Sequence, residues 1–313
     1  QKLTSAELLI PHREVDIQPP AAAISYKVIQ PEIVPFISYP FEWGFGQYRD
    51  AALTTLKIQK IALEYGMTLK DASAYNIQFL GANPTLIETL SFEIYQPAKP
   101  WIAYRQFCQH FLAPLSLMAG ISPDLIGLLR VHIDGVPLPL AAKMLPGRTR
   151  FSPGLLIHIH AHAKMVEGFG AKPGTAKTAG PKRAMSKNAL QGIVSSLESA
   201  VKKLRPARAK SVWFGYAESA PYRAGDEDVK KQAVAEFVRR VKPASVWDLG
   251  ANTGLYTEIA RKHAPVAVAM EFDHACVDAA YRRFKKDKID VLPLRMDLTN
   301  PSPSMGWAHR ERD

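Results

Sequence analysis

Residues 246 to 254, Val-Trp-Asp-Leu-Gly-Ala-Asn-Thr-Gly, constrain this chain more than any other stretch. A short apolar strand stops on the acid Asp248 and turns through Gly250 and Gly254 into a helix. A strand–turn–helix of this kind sets backbone N–H groups and a helix start beside a nucleotide-like ligand. Gly250 gives the turn a backbone angle, or a close ligand approach, that a Cβ would block, and Gly254 lets the helix start close to the strand. The spacing is D-x-G-x-x-x-G rather than the G-x-G-x-x-G of dinucleotide folds.

Two more strand ends follow. Val266 to Met270 is apolar and ends in Glu271-Phe272-Asp273. Glu271 lies 21 positions after Gly250, near the roughly 20-residue offset at which an acid meets ribose hydroxyls in nucleotide folds. A third strand, Asp290 to Met296, ends at Asp297. Before the first strand, Asp226-Glu227-Asp228 opens a helix with Val234, Phe237, Val238 and Val241 on one face, and Pro243 stops it. After the second strand, residues 274 to 288 read as a helix with Cys276, Ala279, Ala280 and Phe284 inward and a basic outer face. The alternation of helix and strand implies a parallel sheet of Rossmann-like α/β type.

The run from Asp248 to Gly254, with its later acids, resembles motif I of the class I S-adenosylmethionine (SAM)-dependent methyltransferases. That resemblance implies SAM as cofactor. Asp248, Gly250, Ala251, Asn252 and Gly254 would face its methionine end, Glu271 its ribose and Asp297 its adenine. The chain stops soon after the third strand, where a full domain needs several more, and it begins with Gln1. The expectation is a truncated methyltransferase domain over 211–313, inactive alone, with catalytic residues beyond Asp313.

The N-terminal residues carry another pattern. Asp71 and Asn76 are five apart, and Glu88 returns after a Gly81-Ala82-Asn83-Pro84 turn. This resembles the catalytic loop and metal-binding hairpin of protein kinases and aminoglycoside phosphotransferases, in which the first acid faces the acceptor hydroxyl and the Asn and second acid hold metal. Departures are clear: Leu69 stands where His or Tyr is usual, Glu88 replaces Asp, and no glycine-rich phosphate loop is visible upstream, only Gly44 and Gly46 between aromatics. The reading is a mostly helical α+β kinase-like module over 1–168, degenerate in activity, with Asn76 and Glu88 as the only metal candidates. The other reading makes the module a phosphotransferase and the SAM-type domain regulatory. With Tyr39-Pro40-Phe41-Glu42-Trp43, Lys70-Asp71-Ala72-Ser73-Ala74-Tyr75-Asn76 and Asp297-Leu298-Thr299-Asn300-Pro301, most of the chain resembles a group of bacterial methyltransferases related to nodulation proteins, which implies methyl transfer to an unspecified acceptor.

Net charge is +11, but the segment from Lys172 to Lys210 carries ten bases against Glu198. Residues 172–183 read as a Gly/Pro/Lys-rich linker, and Leu190, Val194, Leu197, Val201 and Leu204 mark an amphipathic helix. Residues 169–210 therefore read as a solvated connector; contact with RNA or phosphate is the second reading, and the segment lacks the interleaved aromatics that stack on bases. His158, His160 and His162 alternate without a completing donor and read as helix surface rather than a metal site. Trp213, Phe214, Tyr216 and Tyr222 either cover the SAM pocket or pack an interface. Two cysteines, Cys108 and Cys276, give no disulfide framework, and no apolar run approaches the roughly 18 residues of a membrane span. The default expectation is a cytoplasmic protein without membrane contact.

Overall fold

Three apolar runs separated by amphipathic helices form a parallel sheet, as their sequence order requires. The computed structural model describes residues 1–19, 21, 23–170, 185–207, 211, 213–214, 225–304 and 308. In it β7 (Ser245–Leu249), β8 (Val266–Glu271) and β9 (Leu292–Arg295) lie in the order β7-β8-β9, with Val246 opposite Ala267 and Val268 opposite Leu292. The third strand is shorter than the sequence suggests; its regular pairing spans four residues. The six strands before them are short antiparallel pairs: β1 (His12–Val15) with β2 (Val28–Pro31), β3 (Met67–Leu69) with β6 (Phe92–Ile94), and β4 (Ile77–Leu80) with β5 (Asn83–Leu86). The chain is thus mixed α/β, and among the described residues no helix is long and apolar enough to cross a membrane.

The core of the N-terminal part is built on α1 (Phe45–Glu64), whose Tyr48, Leu56, Ile58 and Leu63 are fully buried. Trp43, Phe79, Phe107 and Phe111 close around it through ring contacts at centroid separations of 5.0 to 5.9 Å. Such edge and tilted pairs add to the burial of apolar area. Glu42 accepts the Tyr39 N–H at 2.7 Å, and Gln47 accepts that of Gly44 at 3.0 Å, so the turn before α1 is fixed by its own side chains.

Helix α3 (Lys187–Lys203), which follows α2 (Ala113–Gly120) in the chain, corrects the connector reading. Leu190, Val194, Leu197, Ala200 and Val201 are buried against the same core, and Lys60 on α1 pairs with Glu198. The periodic leucines and valines make this helix part of the fold, not a solvated spacer. The linker residues 172–183 lie outside the described residues.

One apolar cluster runs from the N-terminal residues through α3 to the parallel sheet. The joint is α6 (His274–Asp287), which buries two sides rather than one. Phe284 and Cys276 are buried as expected, and Val277, Asp278 and Tyr281 are also buried, because they meet α1 and the turn before it. Asp278 Oδ1 accepts the N–H of Gly46 at 2.7 Å, and Tyr281 donates to Asp50 Oδ2 at 2.8 Å. A carboxylate from 232 residues away thus satisfies an N–H in the first turn of α1, where the helix dipole favours negative charge. Gly44 and Gly46 are small because α6 lies against them.

Helix α4 (Asp226–Val241), before β7, is packed less than its pattern suggests. Val238 is buried and Val234 half-buried, in a small cluster with Ala260 and Ala264, but Phe237 and Val241 are exposed. The face that touches α5 (Leu255–Arg261) is narrower than the apolar stripe.

The alternating histidines are also corrected. Residues Leu156–Ala161 form a π-helix, and its wide turn buries His158, Ile159 and His160 in succession. His158 bonds Tyr104 through Nδ1 at 2.8 Å and Ser196 through Nε2 at 2.9 Å; His160 Nε2 meets Thr149 at 2.8 Å. His162 stacks on Tyr104 at 5.0 Å between centroids. His158 and His160 are thus buried side chains with hydrogen-bond partners and His162 is half-buried, so the three do not form a solvated helix surface.

Candidate functional site

The cavity that matters opens at the carboxyl end of β7, where open parallel α/β sheets bind ligands. It holds about 640 Å³ and is walled by the turn from Asp248 to Thr253, by Leu255 and Tyr256 of α5, by Glu227, Lys230 and Val234 of α4, and by Glu271 and Trp213. That volume lies within the range of small-molecule sites. Six sequence candidates line or border it: Asp248, Gly250, Ala251 and Asn252 from the turn, Glu271 from β8, and Gly254 at the start of α5.

The turn is held by internal bonds. Gly250 and Ala251 donate their N–H groups to the Met270 carbonyl at 2.9 and 3.0 Å. The N–H of Asn252 goes to Glu271 Oε2 at 2.9 Å, that of Thr253 to Asn252 Oδ1 at 2.7 Å, and that of Gly254 to the Ala251 carbonyl at 2.8 Å. Five successive backbone donors therefore have protein partners. The sequence reading expected such donors to face the ligand; the strand end, the acid and the turn's own oxygens occupy them instead.

The two glycines serve different ends. Gly250 has φ +82°, and a Cβ there would meet nothing within 4 Å, so the space beside it belongs to the cavity. Gly254 has φ +80°, and a Cβ there would lie 2.5 Å from Cζ of Phe284. Its neighbour is α6, the helix after the second strand, rather than β7. Arg283 of α6 braces the same corner: it donates to the Thr253 carbonyl at 3.1 Å and pairs with Glu258.

Glu271 is fixed but not saturated. Oε2 accepts from Asn252, and Oε1 accepts the N–H of Asp273 at 2.9 Å. Each carboxylate oxygen keeps a further lone pair for hydroxyl donors. Asp248 accepts the Thr257 hydroxyl, which holds its carboxylate at the cavity wall. Asp297 stands apart from this wall. Its Oδ1 accepts the N–H and hydroxyl of Thr299 at 2.9 and 2.7 Å, and these bonds hold its carboxyl below the usual range.

Sequence reasoning missed Glu227, Lys230 and Tyr256. Glu227 enters the sequence reading only in the acidic start of a helix and the other two not at all, because nothing local marks the two helices as walls of one cavity. Trp213 was singled out. It lines the cavity, and its carbonyl accepts from Asn252 Nδ2 at 3.0 Å. Tyr216 and Tyr222 lie outside the described residues.

The kinase-like candidates are engaged locally. Asp71 Oδ1 accepts the N–H of Ser73 at 2.9 Å, Glu88 caps the turn at Leu90 at 2.9 Å, and Asn76 donates to Ser91 at 3.2 Å. Among the described residues no three His, Cys, Asp or Glu side chains are grouped to hold a metal ion.

The chain is similar to the nodulation protein NoeA of Rhizobium meliloti (strain 1021), 37% identical over 288 residues. The match takes in 91% of this chain and 60% of that relative, so the chain spans about three fifths of the relative's length. No protein-family model matches it, and no solved structure does.

Proposed function

We propose that the chain binds SAM in the cavity at the end of β7 and serves a SAM-dependent methyl transfer. The observation that carries this reading is the pairing of a spent turn with an acid-rich wall. A dinucleotide or phosphate site needs backbone N–H groups aimed at the anion. Here the five donors from Gly250 to Gly254 are satisfied within the protein. The wall carries three carboxylates, Asp248, Glu227 and Glu271, and one ammonium, Lys230. SAM has a sulfonium, an ammonium and one carboxylate, and its net positive charge suits such a wall. Its ribose hydroxyls would find open lone pairs on Glu271, and Gly250 leaves room for its methionine end. When bound, SAM supplies an electrophilic methyl group on sulfur.

The protein's own residues keep this site in shape. Asn252 and Asp273 orient Glu271, Thr257 orients Asp248, and Arg283 holds the end of the turn. Asp297 stays assigned to the adenine side, next to the carboxyl end of β9. The N-terminal residues support the site from behind, through α1 against α6. We read Asp71, Asn76 and Glu88 as turn residues of that support, and the methyl acceptor as a substrate of the whole protein.

Isothermal titration of the purified chain with SAM and, separately, NAD tests the reading. We expect SAM to bind and NAD not to. Gly250→Val should abolish binding by filling the approach to the cavity. Glu271→Ala should weaken it by about 1.5–3 kcal/mol, the value of a hydrogen bond to a charged group. NAD binding tighter than SAM, or wild-type affinity in both variants, overturns the assignment.

A further inference from the structure

We infer that Lys230 takes the carboxylate of the ligand's amino-acid end, with the ring of Tyr256 as its platform. The inference rests on the SAM reading above and names how that site distinguishes an amino-acid-bearing ligand from one without a carboxylate. A carboxylate brought into this cavity needs positive or donor groups. The turn offers none, because the N–H groups from Gly250 to Gly254 already donate to Met270, Glu271, Asn252 and Ala251. Of the cavity's charged lining, Glu227, Asp248 and Glu271 repel a carboxylate. Lys230 is the one cationic side chain among the described lining residues.

Its placement supports the role. Lys230 lies in the first turns of α4 and Tyr256 near the start of α5, directly after the glycine turn. The Lys230 Nζ sits 4.4 Å from the centroid of the Tyr256 ring. A cation over an aromatic face is attracted by the ring quadrupole, so the ammonium is held on the cavity side of α5 instead of trailing into solvent. Tyr256 comes two residues after Gly254, so the ammonium stands over the residue that follows the glycine turn. The next residue, Lys231, is turned to the acids of its own helix, Glu227 at 2.9 Å and Asp228 at 3.5 Å, and does not line the cavity.

The test compares two ligands that differ only in the group in question: SAM and decarboxylated SAM, which keeps the sulfonium and amine. Isothermal titration of the wild-type chain should show SAM binding more tightly than the decarboxylated form. Lys230→Met should weaken SAM about tenfold, in keeping with a charge-assisted hydrogen bond at a site open to solvent. The decarboxylated form should bind this variant within twofold of wild type. Lys230→Arg should keep most of the preference for SAM, and Tyr256→Leu should lose part of it. Equal losses for both ligands in Lys230→Met, or no loss for SAM, overturn the inference. Failure of the wild-type chain to bind either ligand overturns the SAM reading itself. Thermal melting of each variant identifies any that fails to fold, in which case Lys230→Gln replaces it.

Discussion

Replacing Gly254 by alanine should damage the corner on which the candidate site is built, and the size of the effect can be worked out. Gly254 sits at φ +80° and ψ 25°, in the left-handed region, where an L-residue costs about 1–2 kcal/mol. The added methyl would also start 2.5 Å from the ring carbon Cζ of Phe284, which is fully buried and cannot swing away. Forcing a methyl into a packed core costs about 1–3 kcal/mol. The sum is about 2–5 kcal/mol, a large part of the roughly 5–15 kcal/mol that holds a typical domain together. Gly250→Ala provides the control, since its φ of +82° brings the same strain and its Cβ would meet nothing within 4 Å. It should cost only about 1–2 kcal/mol. Urea unfolding followed by circular dichroism measures both. Phe284→Leu placed beside Gly254→Ala should recover part of the loss, giving non-additivity of about 0.5–3 kcal/mol for residues in contact. Equal costs at the two glycines, or strict additivity with Phe284→Leu, would show that the contact between the turn and α6 carries no energy.

Two further outcomes follow from the joint and the buried histidines. Asp278→Ala should destabilise the chain by about 1.5–3 kcal/mol, because the N–H of Gly46 loses a charged acceptor; Asp278→Asn, which keeps a carbonyl oxygen, should recover most of it, and equal losses in urea unfolding would exclude the hydrogen bond as the cause. Burial pushes His110 and His158 down to about 4, against an ordinary value of 6.5, so both stay neutral in the folded chain while the unfolded chain takes up protons first. Their contribution to stability is therefore full above about pH 6.5 and is lost as pH falls towards 4. Melting temperatures between pH 7 and 5 should fall with acid, and less so in a His110→Gln, His158→Gln double variant; a flat wild-type profile refutes the assignment.

The parallel sheet and its ligand end were legible because their signals are local. Asp248, Gly250 and Gly254 fall within seven residues, and Glu271 lies one helix and one strand further on. What stayed hidden depends on contacts between distant segments. The burial of Val277, Asp278 and Tyr281 reflects a second surface, α1, that no periodicity within α6 can announce. The wide turn at His158 likewise breaks the 3.6-residue period on which a surface reading relied. Gly44 and Gly46 show the same thing from the other side. As a sequence pattern they were a weak phosphate-loop candidate, whereas in the fold they make room for α6.

These long-range contacts also bear on how the site works. α6 touches the N-terminal part through Asp278 and Tyr281 and the glycine turn through Arg283 and Phe284, all within two turns of one helix. Strain at one side is passed to the other by a rigid element with little freedom to absorb it. The N-terminal part therefore meets the helix that braces the cavity's glycine turn without lining the cavity itself. Loss of Asp278 should then lower SAM affinity even though this residue lies outside the cavity wall, and the size of that drop measures how tightly the two halves are coupled.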